Sequence, residues 1–417
     1  MVKAITFFCL FILTVFVLAA GTVQAIVLPS VYDDTHNSLQ VSLSPDGQYI
    51  CACGLDTQSI SLFDRNGTPL WHYRINENAT GCTVSENAAQ TVFLTSDGRV
   101  LFFTSQGALF KKSAVAGMGK NLQFSDDGSS GYIFNGISGS DLAAATVSHV
   151  NAARTVDWGL HIPALSCAAL TPDGRIAVIG TQIGGNSEVI RLLSNGTVAW
   201  RYPVSWWVID VSVSEDGTCV AAEQKNRVLI FNETGQLLSN ISLDYHGSSA
   251  GMSPDGSVIF AGMQYQVLAF NQTGDRLWIY PTDDYVEHIA VSGNSKDIAI
   301  TSGKTLLLID KTGRQIWNYS ARDPAGSIAI SRDSQIIAAG SGADTLHIIN
   351  STGSGIQIAL GDISSAPLPE ESSGSPSDIG IRSTTQTPKP APVPVALTLI
   401  STGIAAVFIC IQGRNKQ

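Results

Sequence analysis

The sequence predicts an all-β fold: an eight-bladed β-propeller of four-stranded antiparallel blades, set between an N-terminal signal sequence and a C-terminal transmembrane helix. Three observations carry this. A tetrapeptide of the type Ser-Pro-Asp-Gly recurs, an apolar residue stands immediately before every copy, and a second turn followed by tryptophan returns later in several repeats.

The tetrapeptide is Ser44-Pro45-Asp46-Gly47, and it returns as Thr171-Pro172-Asp173-Gly174, Ser214-Glu215-Asp216-Gly217 and Ser253-Pro254-Asp255-Gly256. Ser125-Asp126-Asp127-Gly128 is close to it, and weaker copies begin at Ser85, Ser292 and Ser331. Successive copies start 39 to 46 residues apart, the length of one four-stranded blade. Proline fixes φ, aspartate bonds its own backbone and glycine accepts positive φ, so each copy suits a tight turn.

The residues just before the copies are Leu43, Val84, Phe124, Leu170, Val213, Met252, Val291 and Ile330, all apolar. One place earlier stand Ser42, Thr83, Gln123, Ala169, Ser212, Gly251, Ala290 and Ala329, narrow side chains in all but one case. Innermost propeller strands crowd around an axis, and a narrow side chain at one fixed position is what that crowding demands.

About twenty residues further on comes the second turn, as in Asn232-Glu233-Thr234-Gly235, Asn271-Gln272-Thr273-Gly274, Asp310-Lys311-Thr312-Gly313 and Asn350-Ser351-Thr352-Gly353. Trp71, Trp200, Trp278 and Trp317 each stand four places after the turn glycine, with Tyr73, Tyr202, Tyr280 and Tyr319 two places beyond. Each repeat therefore reads strand, turn, strand, loop, strand, turn, strand. The fixed place of the tryptophans marks them as packing anchors of the outermost strand.

The D-x-T-G turn followed by Trp resembles the tryptophan-docking repeat of quinoprotein (pyrroloquinoline quinone) propellers, and the S-P-D-G turn resembles WD40-type and TolB-type repeats. The resemblance covers roughly residues 38–360 and implies an eight-bladed architecture more strongly than an activity. The acidic body and apolar C-terminus also resemble archaeal cell-surface proteins. Quinoprotein dehydrogenases use an adjacent Cys-Cys pair, calcium ligands and an Asp base. This sequence offers only Cys51-Ala52-Cys53, on a strand, and no residue that maps onto the base. No cofactor is predicted, and neither Ca²⁺ nor pyrroloquinoline quinone finds support.

The flanks set the expected location. Lys3 precedes an apolar stretch from Ile5 to Ala20, and Val23-Gln24-Ala25 supplies small residues, so residues 1–25 read as a secretory signal cleaved after Ala25, with an uncleaved anchor as the alternative. The propeller is expected over 26–361. Residues 362–392, rich in Ser, Thr and Pro, read as a disordered stalk. An uncharged apolar run at 393–412 is long enough to cross a bilayer, and Arg414 and Lys416 place the tail, 413–417, on the cytoplasmic side. The expectation is a single-pass protein of the cell membrane whose propeller is extracytoplasmic.

Composition narrows the partners. The chain has 417 residues, a net charge of −10 and no Lys/Arg cluster, so it lacks the cation array that a phosphate backbone requires, and nucleic acid is excluded as a partner. Seven cysteines are present; Cys51, Cys53, Cys82, Cys167 and Cys219 fall in the body, an odd number that suits buried thiols better than a disulfide framework.

In an up-and-down blade the tight turns share one rim, and the variable loops and inter-blade links share the other, where function gathers. Trp206-Trp207 is a link without counterpart, open to a binding role or to plugging the rim. Asp244-Tyr245-His246 and Asp283-Asp284-Tyr285-Val286-Glu287-His288 bring polar groups to the same rim, as a solvated acidic surface or as oxygen ligands for Ca²⁺. These links, as Trp206, Trp207, Asp244, Tyr245, His246, Asp283, Asp284, Tyr285, Glu287 and His288, form the candidate binding residues, and no catalytic or metal-ligating set is predicted. Glycosylation candidates are the N-x-S/T asparagines Asn66, Asn78, Asn195, Asn232, Asn240, Asn271, Asn318 and Asn350. Asn232, Asn271 and Asn350 also satisfy turn chemistry, which explains them equally well. The expected function is a binding or scaffold module for an unknown protein or glycan at the cell surface. The alternative is an exported quinoprotein-like oxidoreductase or hydrolase with its site on the variable rim.

Overall fold

The computed structural model describes residues 39–54, 58–136, 145–183, 185–223, 226–364, 366–367 and 369. The expected signal, most of the stalk, the 393–412 segment and residues 26–38 lie outside these. Strands follow one another with short connections, and each run of four pairs antiparallel into one sheet. The sheets span 40–74, 79–114, 118–161, 165–204, 208–242, 247–281, 286–320 and 325–359.

Consecutive inner strands touch around a ring, and the inner strand of the last sheet, Ala325–Ile330, touches that of the first, Gln40–Leu43. This is a β-propeller. The expectation of eight like four-stranded antiparallel blades is corrected: seven sheets are of that kind, and the first has five strands. Its fifth strand, Ala366–Pro367, runs parallel to the outer strand Pro69–Arg74. The pair covers an edge that would otherwise present unpaired backbone groups. No helix among the described residues is long and apolar enough to cross a membrane, and the 393–412 segment expected to do so lies outside them.

The apolar interior is divided among the seams between sheets. Cys51, Ile60, Leu62 and Trp71 of the first sheet interdigitate with Phe93, Leu101 and Phe103 of the second. Similar clusters join every neighbouring pair, including the eighth and first sheets through Ile336, Leu346, Ile50 and Phe63. Burying one Phe or Leu side chain stabilises by roughly 1.5–3 kcal/mol, so no sheet is stable without its neighbours.

At the outer edge, tryptophan docks one sheet onto the next. Indole Nε1 donates to a carbonyl of the following sheet's turn in Trp71 to Ser105, Trp158 to Ser194, Trp200 to Glu233 and Trp278 to Lys311. The ring lies against that turn's glycine. A Cβ on Gly235 would stand 2.6 Å from the Trp200 ring, so glycine is needed for contact as well as for its φ of 83°.

At the inner edge, neighbouring tight turns hydrogen-bond in sequence. Glu86 N–H donates to Asp126 O, Asp126 to Pro172, Glu215 to Pro254, Asn294 to Arg332 and Arg332 to Pro45. Among the described residues the backbone series is interrupted after Pro45, Pro172 and Pro254. Proline has no N–H to pass on. The weak tetrapeptides still form the turn because Ser295 (φ 57°) and Ser334 (φ 62°) adopt the conformation that glycine holds elsewhere.

Closure joins the two ends of the domain directly. Leu39 N–H donates to Gly342 O at 2.9 Å and Ser327 Oγ donates to Leu39 O at 2.6 Å. A Cβ on Gly340 would lie 1.9 Å from Leu39 O. Gly340→Ala is therefore expected to destabilise by ~1–3 kcal/mol. Gly159→Ala, whose nearest contacts are 3.7 Å or more, is expected to change stability by under about 0.5 kcal/mol. Urea midpoints of the two variants check this; equal midpoints would show that closure is not tight.

Candidate functional site

The links between sheets lie beside the loops that join the second and third strands. Leu243 N–H donates to Asn226 O, Thr282 to Tyr265 O and Ala321 to Lys304 O, the same bond in three successive sheets. These segments form the variable rim, and the inner strands run from it down to the tight turns.

Nine of the ten predicted binding residues lie on this rim. Trp206 is 41% exposed and Tyr245 55%, while Asp244, His246, Asp283 and Asp284 are exposed and Trp207, Tyr285 and Glu287 half-buried. Sequence reasoning missed Tyr265, which is 55% exposed and lies 6.2 Å, ring centre to ring centre, from Tyr285. Asp284 sits over Gly303, where a Cβ would meet its Oδ2 at 2.4 Å. The Gly303 N–H donates to Glu287 at 3.0 Å.

His288, the tenth, stands in the central channel. The cavity there has a volume of about 540 Å³, and Gln123, Ala169, Asp210, Ser249 and His288 are among its lining residues. Asp210, Ser249 and His288 occupy one register position, three places before the apolar residue that ends each inner strand. The other sheets place Gln40, Gly81, Asn121, Cys167 and Ser327 there.

A β-bulge precedes this position in six sheets, with the register shifting between Val208 and Asp210, Gly247 and Ser249, and Val286 and His288 among them. The extra residue re-aims the side chain that follows it. Bulged Ser166 and Ser248 donate to Val208 O at 2.7 Å and Val286 O at 2.5 Å, tying each inner strand to the next.

Asp210 is the charged member of this column. Its carboxylate accepts the Val211 N–H at 2.9 Å on Oδ1, and Ser249 Oγ at 2.9 Å and the Ala250 N–H at 2.8 Å on Oδ2. Opposite the rim, Arg332 reaches Asp126 at 2.5 Å, joining the eighth sheet to the third across the turn-side end of the channel. The mouth on the variable rim is the end where loops differ.

A family model described as outer membrane protein assembly factor BamB, built of PQQ-like repeats, matches residues 143–365, which is more than half of the chain. The chain belongs to this PQQ-like, BamB-type repeat family. Among solved structures, the Chaetomium thermophilum Sqt1 bound to the N-terminus of the ribosomal protein L10 is similar, with a TM-score of 0.62 and 12% identity over 76% of this chain and 98% of that one. At that identity the likeness shows the fold alone. A search of curated proteins found no match.

Family membership raises the question of a quinone cofactor, and the thiols that the resemblance would enlist do not fit one. Cys51 and Cys53 are fully buried and face the apolar seam between the first two sheets of this PQQ-like propeller. Half-buried Cys82 lies beside them, its Sγ 3.6 Å from Cys51 O, and burial raises the Cys51 and Cys82 thiols well above their ordinary pKa. Cys51, Cys53, Cys82 and Cys167 are free thiols. Among the described residues no group of three His, Cys, Asp or Glu side chains is arranged to hold a metal ion.

One polar triplet has the outline of a catalytic triad: Ser130 Oγ lies 2.8 Å from His149 Nε2, and His149 Nδ1 lies 2.6 Å from Asp157. Its surroundings make it a seam fastener. A Cβ on Gly174 of the next sheet would come within 3.1 Å of Ser130 Oγ, and the His149 ring stacks flat on Trp158. Ser61 with His72 and Ser341 with His347 repeat the serine–histidine pair in other sheets. Trp158 escaped the sequence pattern because Arg154 (φ 61°) stands where other turns carry glycine.

Burial raises the Asp210 carboxyl to about 6 against the donors that favour its charge. Burial, reinforced by the charge of Asp284, likewise raises Glu287 to about 7 despite the Gly303 N–H. A carboxyl with a raised native pKa binds its proton more tightly folded than unfolded. Its stabilising contribution is present below the unfolded pKa and is lost as pH rises, through about 6 for Asp210 and about 7 for Glu287. His72, His288 and His347, lowered chiefly by burial, act in the opposite sense. The difference between variant and wild type cancels them. Asp210→Asn and Glu287→Gln are expected to gain on wild type in thermal midpoint between pH 4.5 and pH 8, and a constant difference would mean that neither group titrates in that window.

Proposed function

We propose that this PQQ-like propeller is an exported binding module that holds a protein partner at the channel mouth on its variable rim. One observation carries the reading. The exposed aromatic side chains of the links and loops gather on one arc, from Trp206 between the fourth and fifth sheets through Tyr245 to Tyr265, which lies against half-buried Tyr285 between the sixth and seventh. Large aromatic side chains on a rigid frame supply contact area at low cost in conformational entropy.

The proposed location, outside the cytoplasm at the cell membrane, rests on the apolar terminal segments of the sequence. The sequons at Asn66, Asn195, Asn232, Asn271 and Asn350 occupy third turns, on the opposite rim. Glycans there would leave the mouth clear. The Sqt1 structure, with a ribosomal-protein N-terminus bound, is in keeping with a polypeptide partner for a propeller of this shape.

The test is capture from the native host with the purified body. Joint substitution of Trp206, Tyr245 and Tyr265 by serine is expected to abolish recovery of the partner that wild type recovers, with an unchanged thermal midpoint. Recovery equal to that of wild type would place the binding surface elsewhere.

A further inference from the structure

The aromatic arc is also acidic. Asp244 adjoins Tyr245, and Asp283 and Asp284 precede Tyr285, all three carboxylates being exposed. The bond from each link to its loop aligns Asp244 with Asp283, and Tyr245 with Asp284, at equivalent places in successive links. Of the cations on this rim, Lys304 follows Gly303, over which Asp284 sits, Arg227 follows Asn226, whose carbonyl takes the Leu243 N–H, and Arg322 stands in the next link; against them are the exposed Asp244, Asp283 and Asp284 and the half-buried Glu287.

Carboxylates beside aromatic faces attract one kind of group from both directions: a cation gains from the ring quadrupole and from the negative charge. A neutral sugar also stacks on the rings and donates hydroxyls to the carboxylates, but it gains nothing from charge balance. Below the mouth, Asp210 offers one more acceptor position. A carboxylate has about four lone-pair sites, and three donors already occupy its oxygens, two of them on Oδ2.

We infer that the occupant of the mouth is an extended polypeptide segment rich in Lys or Arg. Its side chains stack on Trp206, Tyr245, Tyr265 and Tyr285, its charge is balanced by Asp244, Asp283 and Asp284, and one basic side chain enters the cavity toward Oδ1 of Asp210. The inference rests on the binding reading above and adds the chemistry of the partner.

Fluorescent oligoarginine and oligolysine peptides, an oligoglutamate peptide and neutral oligosaccharides serve as probes, with anisotropy as readout. Oligoarginine is expected to bind wild type, and to bind at least ~10-fold more weakly, about 1.4 kcal/mol, after Asp244→Asn, Asp283→Asn and Asp284→Asn together. Trp206→Ser with Tyr245→Ser, which leaves the charge untouched, is expected to weaken it as much, and Asp210→Asn to weaken it further. Glu86→Gln with Glu233→Gln, on turns of the other rim, is expected to change nothing. Unfolding midpoints confirm that each variant is folded.

Equal loss from the other-rim pair would reduce the binding to bulk attraction and overturn the inference. Aromatic-dependent binding of oligosaccharide but not oligoarginine would overturn the cationic occupant and leave the rim as binding surface. Oligoarginine binding that ignores the aromatic substitutions would remove the arc as its site, whereas the capture experiment alone judges the arc for the native partner.

Discussion

Everything in this domain depends on the seam between neighbouring sheets. A four-stranded antiparallel sheet with two apolar faces cannot stand in water, and here each face is completed only by the next sheet, as Phe93 and Phe103 are by Leu62 and Trp71. The seam is fastened at three radii: by bulged serines near the axis, by apolar packing midway, and by tryptophan on glycine at the outside. Each device is local, and repetition makes the ring. The junction of last and first sheets has to be made by segments far apart in sequence, and this is why Leu39, Ser327 and Gly340 meet so closely there.

The same demand explains which rim is free to vary. Tight turns crowd at the inner edge, where they bond to one another, hold Ser–Asp pairs such as Ser44 with Asp46 at 2.5 Å, and are bridged by Arg332 and Asp126. A change of length there breaks a neighbour's bond. The links share one bond, the N–H given to the adjacent loop, and the residues after it differ from sheet to sheet. Chemistry peculiar to this chain therefore appears in the links.

Much of the fold was legible because its causes are periodic in sequence. The apolar residue before each turn marks the inner strand, and the glycine-to-tryptophan spacing marks the outer one. What escaped has a physical reason in each case. The fifth strand at Ala366–Pro367 lies in a stretch whose composition reads as stalk, and its pairing depends on an edge more than 290 residues earlier. Trp158 was hidden because an arginine does the work of glycine. The candidate site was half legible: the links announced themselves by their singular residues, but Asp210 sits between Ile209 and Val211 in an ordinary strand. The signal that marks it is its column, Gln40, Asn121, Ser249, His288 and Ser327 at the same register, visible only once the inner strands are aligned on their final apolar residue.

That column connects the rim to the axis. A bulge costs backbone pairing, and six sheets accept the cost at one level of the channel; in four of them the residue after it is polar, Asp210, Ser249, His288 or Ser327, and the first three of these line the cavity. Had packing alone been served, apolar residues would suffice, since a buried carboxylate is tolerated only when its lone pairs are met. Asp210 has three donors and still rises to about 6, so the fold supports a group that it does not fully relieve. A cation brought down from the mouth would relieve it. The links that carry the arc lead straight into the inner strands that carry this column, so the inferred occupant would join rim and channel in a single site.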